Sequence, residues 1–170
     1  AGREVRPALA YTTTILMFIL FFYIVVMLTM ANPFAKLSVI PIDGQGINPL
    51  LTHPGMFFHP PILMTGLIGV GIPFAFAMGH LLANGVGDAW VGAARFWGLI
   101  IWTTLTIGLL LGGWWAYTIL GWGGYWAWDP VENAGLLPWL PLTAFIHSIM
   151  VQKRRGVFRM WNVALIIMAW

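Results

Sequence analysis

The residues that could carry chemistry are concentrated in one segment, which runs from Trp122 to Asn133 and reads W-G-G-Y-W-A-W-D-P-V-E-N. Six of the 11 tryptophans lie between Trp114 and Trp139. Tryptophan is large and rigid, so a glycine-spaced cluster of indoles predicts a broad, flat apolar surface for lipid, protein or a planar cofactor. The candidate cofactor-binding residues are Trp114, Trp115, Trp122, Gly123, Gly124, Tyr125, Trp126, Trp128, Asp129, Pro130, Glu132 and Asn133.

Two interpretations of these tryptophans compete. Tryptophan favours the headgroup level of a bilayer, so a plain aromatic belt would account well for Trp90, Trp97 or Trp161. The loop tryptophans instead stand together among Gly121, Gly123 and Gly124, and glycine lets a backbone come close to a ligand. The clustering therefore favours a platform for a planar ligand over a belt.

The acidic residues that close the segment predict the start of a helix. Asp129-Pro130-Val131-Glu132 has the D-x-x-E spacing of a capping box, with proline at the first helical position. This structural role does not exclude a second role for Asp129, Glu132 and Asn133 at the edge of the platform. Pro138 and Pro141 follow within the same helix, where we expect them to bend it and leave room for a pocket.

A second polar feature is the stretch T-H-P-G-M-F-F-H-P-P, which contains His53 and His59. Pro60 biases His59 away from helix, which predicts an imidazole in the loop before a membrane span, level with the tryptophans. A lone loop histidine is more often solvated than bound to a metal, but the neighbouring tryptophans favour a metal role for His59. His53 lies on the same predicted side of the membrane, but the sequence defines its position less well.

Two further histidines lie within apolar segments, where ionisable groups are rare and often functional. For His80 we favour a structural interpretation, in which it bonds a neighbouring helix or reaches the interface. For His147 we favour a ligand or proton role. The two residues are predicted at similar depth on different helices, so they could also ligate one haem iron from both sides.

The composition predicts an all-α integral membrane protein. The chain is 60% hydrophobic and 8% charged, whereas a soluble domain is about a quarter charged. Runs of roughly 20 apolar residues span a bilayer, which places spans at 9–31, 60–83, 96–120 and 131–151, with a fifth beginning near residue 160. The chain begins at Ala1 without methionine and the fifth span is cut short, so we expect residues 1–170 to be one polytopic segment of a longer chain, with its tryptophan motif at 114–139.

Charge patterning predicts the orientation. Seven of the eight basic residues fall at one end of the predicted spans, and Lys36 alone falls at the other. The positive-inside rule places the seven in the cytoplasm, so the amino-terminal end is cytoplasmic and the tryptophan loop faces outward. The pI of 9.7 follows from this topology and gives no reason to expect nucleic acid. There is no cysteine, so any sulfur chemistry must use a partner's thiols.

The motif W-G-G-Y-W-A-W-D-P-V-E-N resembles the WWD signature of the haem-handling membrane proteins of cytochrome c maturation, a superfamily that includes CcmC, CcmF and CcsA. The ending D-P-V-E-N, the F-F-H-P-P before a span and the A-F-I-H-S-I-M-V-Q-K-R-R-G at 144–156 are most similar to the CcmF/NrfE type of cytochrome c haem lyase. The resemblance runs along essentially the whole chain.

This resemblance implies that the tryptophan segment holds haem b at the periplasmic face of a bacterial inner membrane. It implies that His59 supplies one axial ligand to that haem and that His147 ligates a second, intramembrane haem b. The remaining ligands would lie beyond Trp170, and His53 and His80 match no ligand position. No catalytic residue is assigned.

The implied reaction joins haem to the Cys-x-x-Cys-His motif of an apocytochrome c. The implied partners are haem, the apocytochrome, a haem-delivery chaperone, other maturation subunits and the lipid bilayer. Two alternatives stay open at this point. One is a haem carrier or exporter that makes no bond, and the other is a structural or quinone-contacting membrane subunit.

Overall fold

The computed structural model describes residues 2–36, 38–39, 41–44, 46–85 and 88–170. Within these residues every long element is an α-helix and no strand occurs. The helices are α1 (Gly2–Thr29), α2 (Pro54–Gly69), α3 (Gly71–Leu82), α4 (Val91–Ile119), α5 (Pro130–Arg155) and α6 (Arg159–Ala169).

The helices confirm the predicted integral membrane fold. Among the described residues, four segments are long and apolar enough to cross a bilayer, namely Ala8–Thr29, Pro54–Leu82, Val91–Ile119 and Pro130–Arg155. Helix α6 is a shorter apolar helix that follows them. The tryptophan-rich residues 120–129 form a loop between α4 and α5. We call the end of the bundle that carries this loop the Trp end, and the opposite end, where α5 stops, the basic end.

The start of the second span differs from the prediction. Helix α2 begins at Pro54, six residues before Pro60, and His53 is its N-cap residue. His59 therefore lies inside a helix, and its predicted placement in a loop was wrong. The proline effect on the preceding residue is a steric bias, and here it is outweighed by the packing of His59 against α4, where its ring bonds the Gly108 carbonyl.

The same span is divided into two helices at Val70. Pro73 has no N–H and cannot donate to the carbonyl of Gly69, so the helical hydrogen bonding is interrupted at this point. The later spans are longer than predicted, because α4 begins at Val91 and α5 continues to Arg155. Gly156 then ends α5 in the left-handed conformation with φ of 68°, as glycine commonly does.

Close contact between α2 and α4 determines the geometry of the Trp end. A Cβ atom added at Gly108 would lie 2.7 Å from the Cα atom of Leu63, and one added at Gly66 would lie 2.6 Å from the Cα atom of Leu105. Small residues at such positions let helix backbones approach closely in a membrane. The start of α2 is thereby held against the end of α4.

Helices α4 and α5 are joined by a reciprocal pair of tryptophan–threonine hydrogen bonds. The Trp102 indole donates to the Thr143 hydroxyl and the Trp139 indole donates to the Thr106 hydroxyl, both at 2.8 Å. The two indoles are stacked with centroids 6.2 Å apart. Each of these indole N–H groups has a partner, as burial in an apolar environment requires.

Candidate functional site

His59 is held with one ring nitrogen committed and the other free. Its Nδ1 lies 2.8 Å from the carbonyl oxygen of Gly108, and a carbonyl only accepts, so Nδ1 carries the proton. The unprotonated Nε2 is therefore the nitrogen that can bind a metal, an arrangement common in metal-binding histidines. The ring packs beside Trp115, with centroids 6.1 Å apart. Gly112 makes room for it, since a Cβ atom there would lie 2.6 Å from Cε1 of His59.

His53 has the opposite arrangement. Its Nδ1 accepts a hydrogen bond of 3.0 Å from the N–H of Gly55 and so caps the first turn of α2. A neutral imidazole whose Nδ1 accepts carries its proton on Nε2 and has no second lone pair to offer. The ring lies 4.9 Å from that of Trp114. His53 is a helix cap in this structure, and His59 is the better candidate for a metal ligand.

The glycines of the tryptophan loop shape its turns. Gly121 and Gly123 have positive φ angles of 72° and 77°, a conformation that L-residues rarely adopt. Gly124 has no room for a Cβ atom, because the indole of Trp122 lies across its backbone. These contacts account for the glycines by local folding, and their predicted role in a close approach to a ligand stays a prediction.

The D-P-V-E-N residues form the predicted helix start and also hold the loop. The Asp129 carboxylate accepts from the N–H of Glu132 at 2.7 Å, and Pro130 is the first residue of α5. Glu132 accepts from the N–H groups of Ala127 and Trp128 at 2.6 and 2.8 Å.

Asn133 completes this arrangement by donating to the Trp128 carbonyl at 3.1 Å. Trp128 is itself strained, with φ of 59°, a region unfavourable for a large side chain. Trp128 is held in that conformation by donating its N–H to Glu132 and accepting from Asn133. The acidic end of the motif therefore fixes the position of a platform tryptophan.

A cavity of about 110 Å³ separates His59 from the tryptophan loop. Trp115 and Trp126 both line it, and the Nε1 atoms of both are buried without a hydrogen-bond partner in the described part of the protein. A buried donor left unpaired costs about 1–3 kcal/mol, so both indoles favour a hydrogen-bond acceptor that the described residues do not supply. The remaining lining residues are Leu63, Leu109, Gly112, Gly113, Ala116, Leu120, Asp129 and Glu132.

A larger apolar cavity of about 460 Å³ adjoins the first. Leu109, Gly113 and Trp126 line both of them. The volume falls in the range of small-molecule sites, roughly 300–1,000 Å³. Its other lining residues are Thr106, Leu110, Trp114, Tyr125, Leu136 and Trp139. The two cavities together form an apolar recess with His59 at one side, a lining that suits a planar apolar group.

The tryptophans do not form one flat surface as predicted. Trp126 and Trp128 meet edge to face, with an interplanar angle of 78°, so both cannot lie parallel to one planar ligand. Trp114, Trp122, Tyr125 and Trp128 are exposed, whereas Trp115 and Trp126 are partly buried. The geometry is that of a lined recess with an aromatic rim.

Several residues that shape the recess were missed by sequence reasoning. Tyr117 stacks on Tyr125 with centroids 4.4 Å apart, and it follows Trp114 by three residues on the same helix, a spacing that places neighbours on one face. Gly108 and Gly112, four residues apart, mark the face of α4 that receives His59. The three-residue spacing of Trp114 and Tyr117 and the four-residue spacing of Gly108 and Gly112 are both visible in the sequence.

His147 lies away from this recess, on an exposed face of α5. Its Nδ1 is 2.7 Å from the Thr143 carbonyl of its own helix, which again leaves Nε2 free. His80 is buried with 6% of its surface exposed and packs on Trp90. Phe145 also stacks on Trp90, and His147 follows it by two residues, about 200° around the helix. His80 and His147 therefore do not share a site, and the hypothesis that they ligate one iron was wrong.

The fold and site together define a polytopic membrane protein whose helices carry an aromatic recess beside a histidine with a free Nε2. The family model described as cytochrome C assembly protein matches residues 4–170. The chain therefore belongs to the cytochrome c assembly protein family.

The relatives confirm the predicted resemblance to the CcmF/NrfE type. The chain is 44% identical to cytochrome c-type biogenesis protein CcmF of Haemophilus influenzae over 148 residues, 86% of this chain and 23% of that protein. It is 41% identical to NrfE of the same organism over 164 residues, 96% of this chain and 26% of that protein. It matches the solved structure of cytochrome c heme lyase CcmF with a TM-score of 0.79 at 40% identity, covering 95% of this chain and 25% of the other. The chain thus spans about a quarter of these proteins.

Proposed function

We propose that this chain is the haem-presenting part of a CcmF/NrfE-type cytochrome c haem lyase. It would hold haem b at the Trp end for thioether attachment to the Cys-x-x-Cys-His motif of apocytochrome c. The observation that carries the proposal is the Nε2 of His59, which has no partner among the described residues, beside a cavity lined by two tryptophans whose indole N–H groups are unpaired. The names of the relatives, which include a haem lyase, support the class of reaction.

In this proposal each residue positions the cofactor. His59 would hold the iron through Nε2, and the Gly108 carbonyl keeps its ring oriented. Trp126, which lines the recess, and Trp122 and Trp128, which are exposed at its rim, would support the macrocycle. Glu132 and Asn133 would act on the cofactor through Trp128, whose conformation they fix, and Asp129 caps the helix start that carries them.

The chain's contribution to the reaction is orientation and exclusion of water. When bound, haem supplies two vinyl groups, and each accepts the sulfur and hydrogen of one substrate thiol across its double bond. The chain is free of cysteine, so both sulfur atoms come from the apocytochrome. A haem-delivery chaperone and other maturation subunits would bring the haem and the reduced thiols.

His147 would hold a second haem b within the membrane. Its Nε2 has no partner among the described residues and its side chain is exposed, so any further ligand to that haem would come from a helix that packs against this face of α5. In the proposed orientation the basic end faces the cytoplasm and the Trp end faces the periplasm of a bacterial inner membrane.

Reconstitution tests the lyase function directly. The intact protein that contains this segment is supplied with haem and reduced apocytochrome c, and covalently bound haem is measured on the product by mass spectrometry. We expect conversion by the parent, a severe loss in His59→Ala and a small loss in His53→Ala. Haem transfer without thioether bonds would instead indicate a carrier, and equal losses in the two variants would contradict the role of His59.

A further inference from the structure

Three consecutive cations stand at the end of α5, outside the recess and its histidines. Lys153, Arg154 and Arg155 occupy the last turn and are all exposed. Among the side chains that the structure describes, the one ion pair joins Arg159 to Asp88, with N–O separation of 3.3 Å. Asp88 therefore neutralises Arg159, the fourth cation of this region. The charges of the other three can interact with a partner.

Exposed apolar side chains follow these cations directly. Met160 and Trp161 have 80% and 63% of their surface exposed, and Val157 and Phe158 are about half exposed. We call residues 153–161 the basic hairpin. Its turn is tight, because Gly156 and Phe158 both have positive φ, at 68° and 67°. Charged and apolar groups are thus presented side by side within a short segment.

Buried polar contacts hold the basic hairpin to the rest of the bundle. Gln152 and Asn162, on either side of it, are 1% and 0% exposed. Asn162 donates to Gln152 at 2.6 Å, and Gln152 donates to Asp88 at 2.7 Å. Ser148 also bonds Asn162. Fully paired networks of this kind rigidify their surroundings, so the cations are offered from a fixed position.

The level of the hairpin in the membrane follows from the length of α5. This helix has 26 residues, more than the roughly 20 needed to span a bilayer. Since its last turn carries the cations, that turn must emerge at the headgroup region. Phosphate is the anion abundant at this level, and arginine binds it through paired N–H donors.

We infer that the basic hairpin binds the phosphate headgroup of an anionic phospholipid. The acyl chains of that lipid lie along the exposed apolar residues, among which Trp161 is of a type favoured at the interface. The inference is independent of haem and of the proposed lyase function. The simpler role of the cations is to favour the carboxyl end of α5 and to set topology, and that role predicts no preference among lipids.

The test uses the intact protein in nanodiscs of phosphatidylcholine with a minor share of phosphatidylglycerol. Native mass spectrometry measures the ratio of the two lipids retained by the protein. We expect the parent to enrich phosphatidylglycerol, and a Lys153→Gln, Arg154→Gln, Arg155→Gln triple variant to lose about fivefold in enrichment for each cation removed. Lys36→Gln, beyond the other end of α1, is the matched control and should retain the parent ratio.

A second variant keeps the test decisive if the triple variant inserts poorly. Asp88→Asn leaves an amide oxygen for Gln152 but releases Arg159, so we expect enrichment of phosphatidylglycerol to rise. Equal retention of both lipids by the parent would overturn the inference. An unchanged ratio in Asp88→Asn, or in a correctly inserted triple variant, would overturn it as well.

Discussion

His59 and His147 use the same local arrangement in two different surroundings. Both donate Nδ1–H to a backbone carbonyl, at 2.8 and 2.7 Å, and both keep Nε2 free. The carbonyl that orients His59 belongs to another helix, at Gly108, whereas the one that orients His147 lies one turn earlier on its own helix, at Thr143. His59 is partly buried and borders a cavity, whereas His147 is exposed.

The two histidines differ in how much of the tertiary structure is required to orient the imidazole ring. The geometry of His59 depends on how α2 packs against α4, so it is a property of the tertiary structure of this segment. The geometry of His147 needs α5 alone. Changes at the α2–α4 contact should therefore damage the first site and spare the second.

The largest effect is expected from Gly108→Ala. The new Cβ atom would lie 2.7 Å from the Leu63 backbone, and such overpacking costs about 1–3 kcal/mol or more. The Gly108 carbonyl remains, but α2 must move away from α4 and carry His59 with it. We expect a lower thermal midpoint of the intact protein in detergent and loss of the haem proposed at the Trp end, with the haem proposed at His147 retained.

Gly92→Ala is the control for that prediction. Gly92 lies on the same helix, and a Cβ atom added there would have nothing within 4 Å, so its replacement should change neither the midpoint nor the spectrum. Equal loss of both haems in Gly108→Ala would show that the two sites are not separable in this way.

A smaller and more local effect is expected from Glu132→Ala. It removes the carboxylate that accepts from the N–H groups of Ala127 and Trp128. Both bonds are exposed to water, which limits their net contribution to about 0.5–1.5 kcal/mol each. The loop should loosen, which faster amide hydrogen exchange at residues 120–129 would report. Thioether formation should fall while His147 haem is unchanged. Asp43→Ala, a change to an exposed carboxylate in another loop, should leave exchange at these residues as it is.

The smallest effect is expected from Thr143→Val. This change removes the acceptor of Trp102 and leaves both histidine carbonyls in place, at a cost of about 1 kcal/mol. The thermal midpoint should fall by a few degrees, with both haem spectra kept. Thr104→Val, which affects a hydroxyl bonded within its own helix, is the matched control. A selective loss of either haem would contradict the separation of the sites.

The sequence predicted those parts of the fold that depend on local pattern. Hydropathy located four spans, and the D-x-x-E spacing located the start of α5, because bilayer thickness and helix capping act over short stretches. The start of α2 was misplaced, since a tertiary contact overrode the bias that Pro60 exerts on His59. The division at Val70 follows from Pro73, whose missing N–H interrupts the hydrogen bonding of the preceding turn.

The site was predicted in its residue types more than in its shape. The tryptophans and His59 do lie close together, as predicted. The angle between Trp126 and Trp128, however, depends on the left-handed backbone of Trp128, which no local sequence pattern predicts. The tautomer that separates His59 from His53 depends on which backbone group each ring meets. Such partners become visible only in three dimensions.

The role of His59 is tested most directly by the visible spectrum of the intact protein, oxidised and reduced, for the parent, His59→Ala and His147→Ala. We expect haem bands in the parent, with one component lost in His59→Ala and a different component lost in His147→Ala. A His59→Ala protein whose spectrum and haem content match those of the parent would contradict the proposal that His59 holds haem at the Trp end.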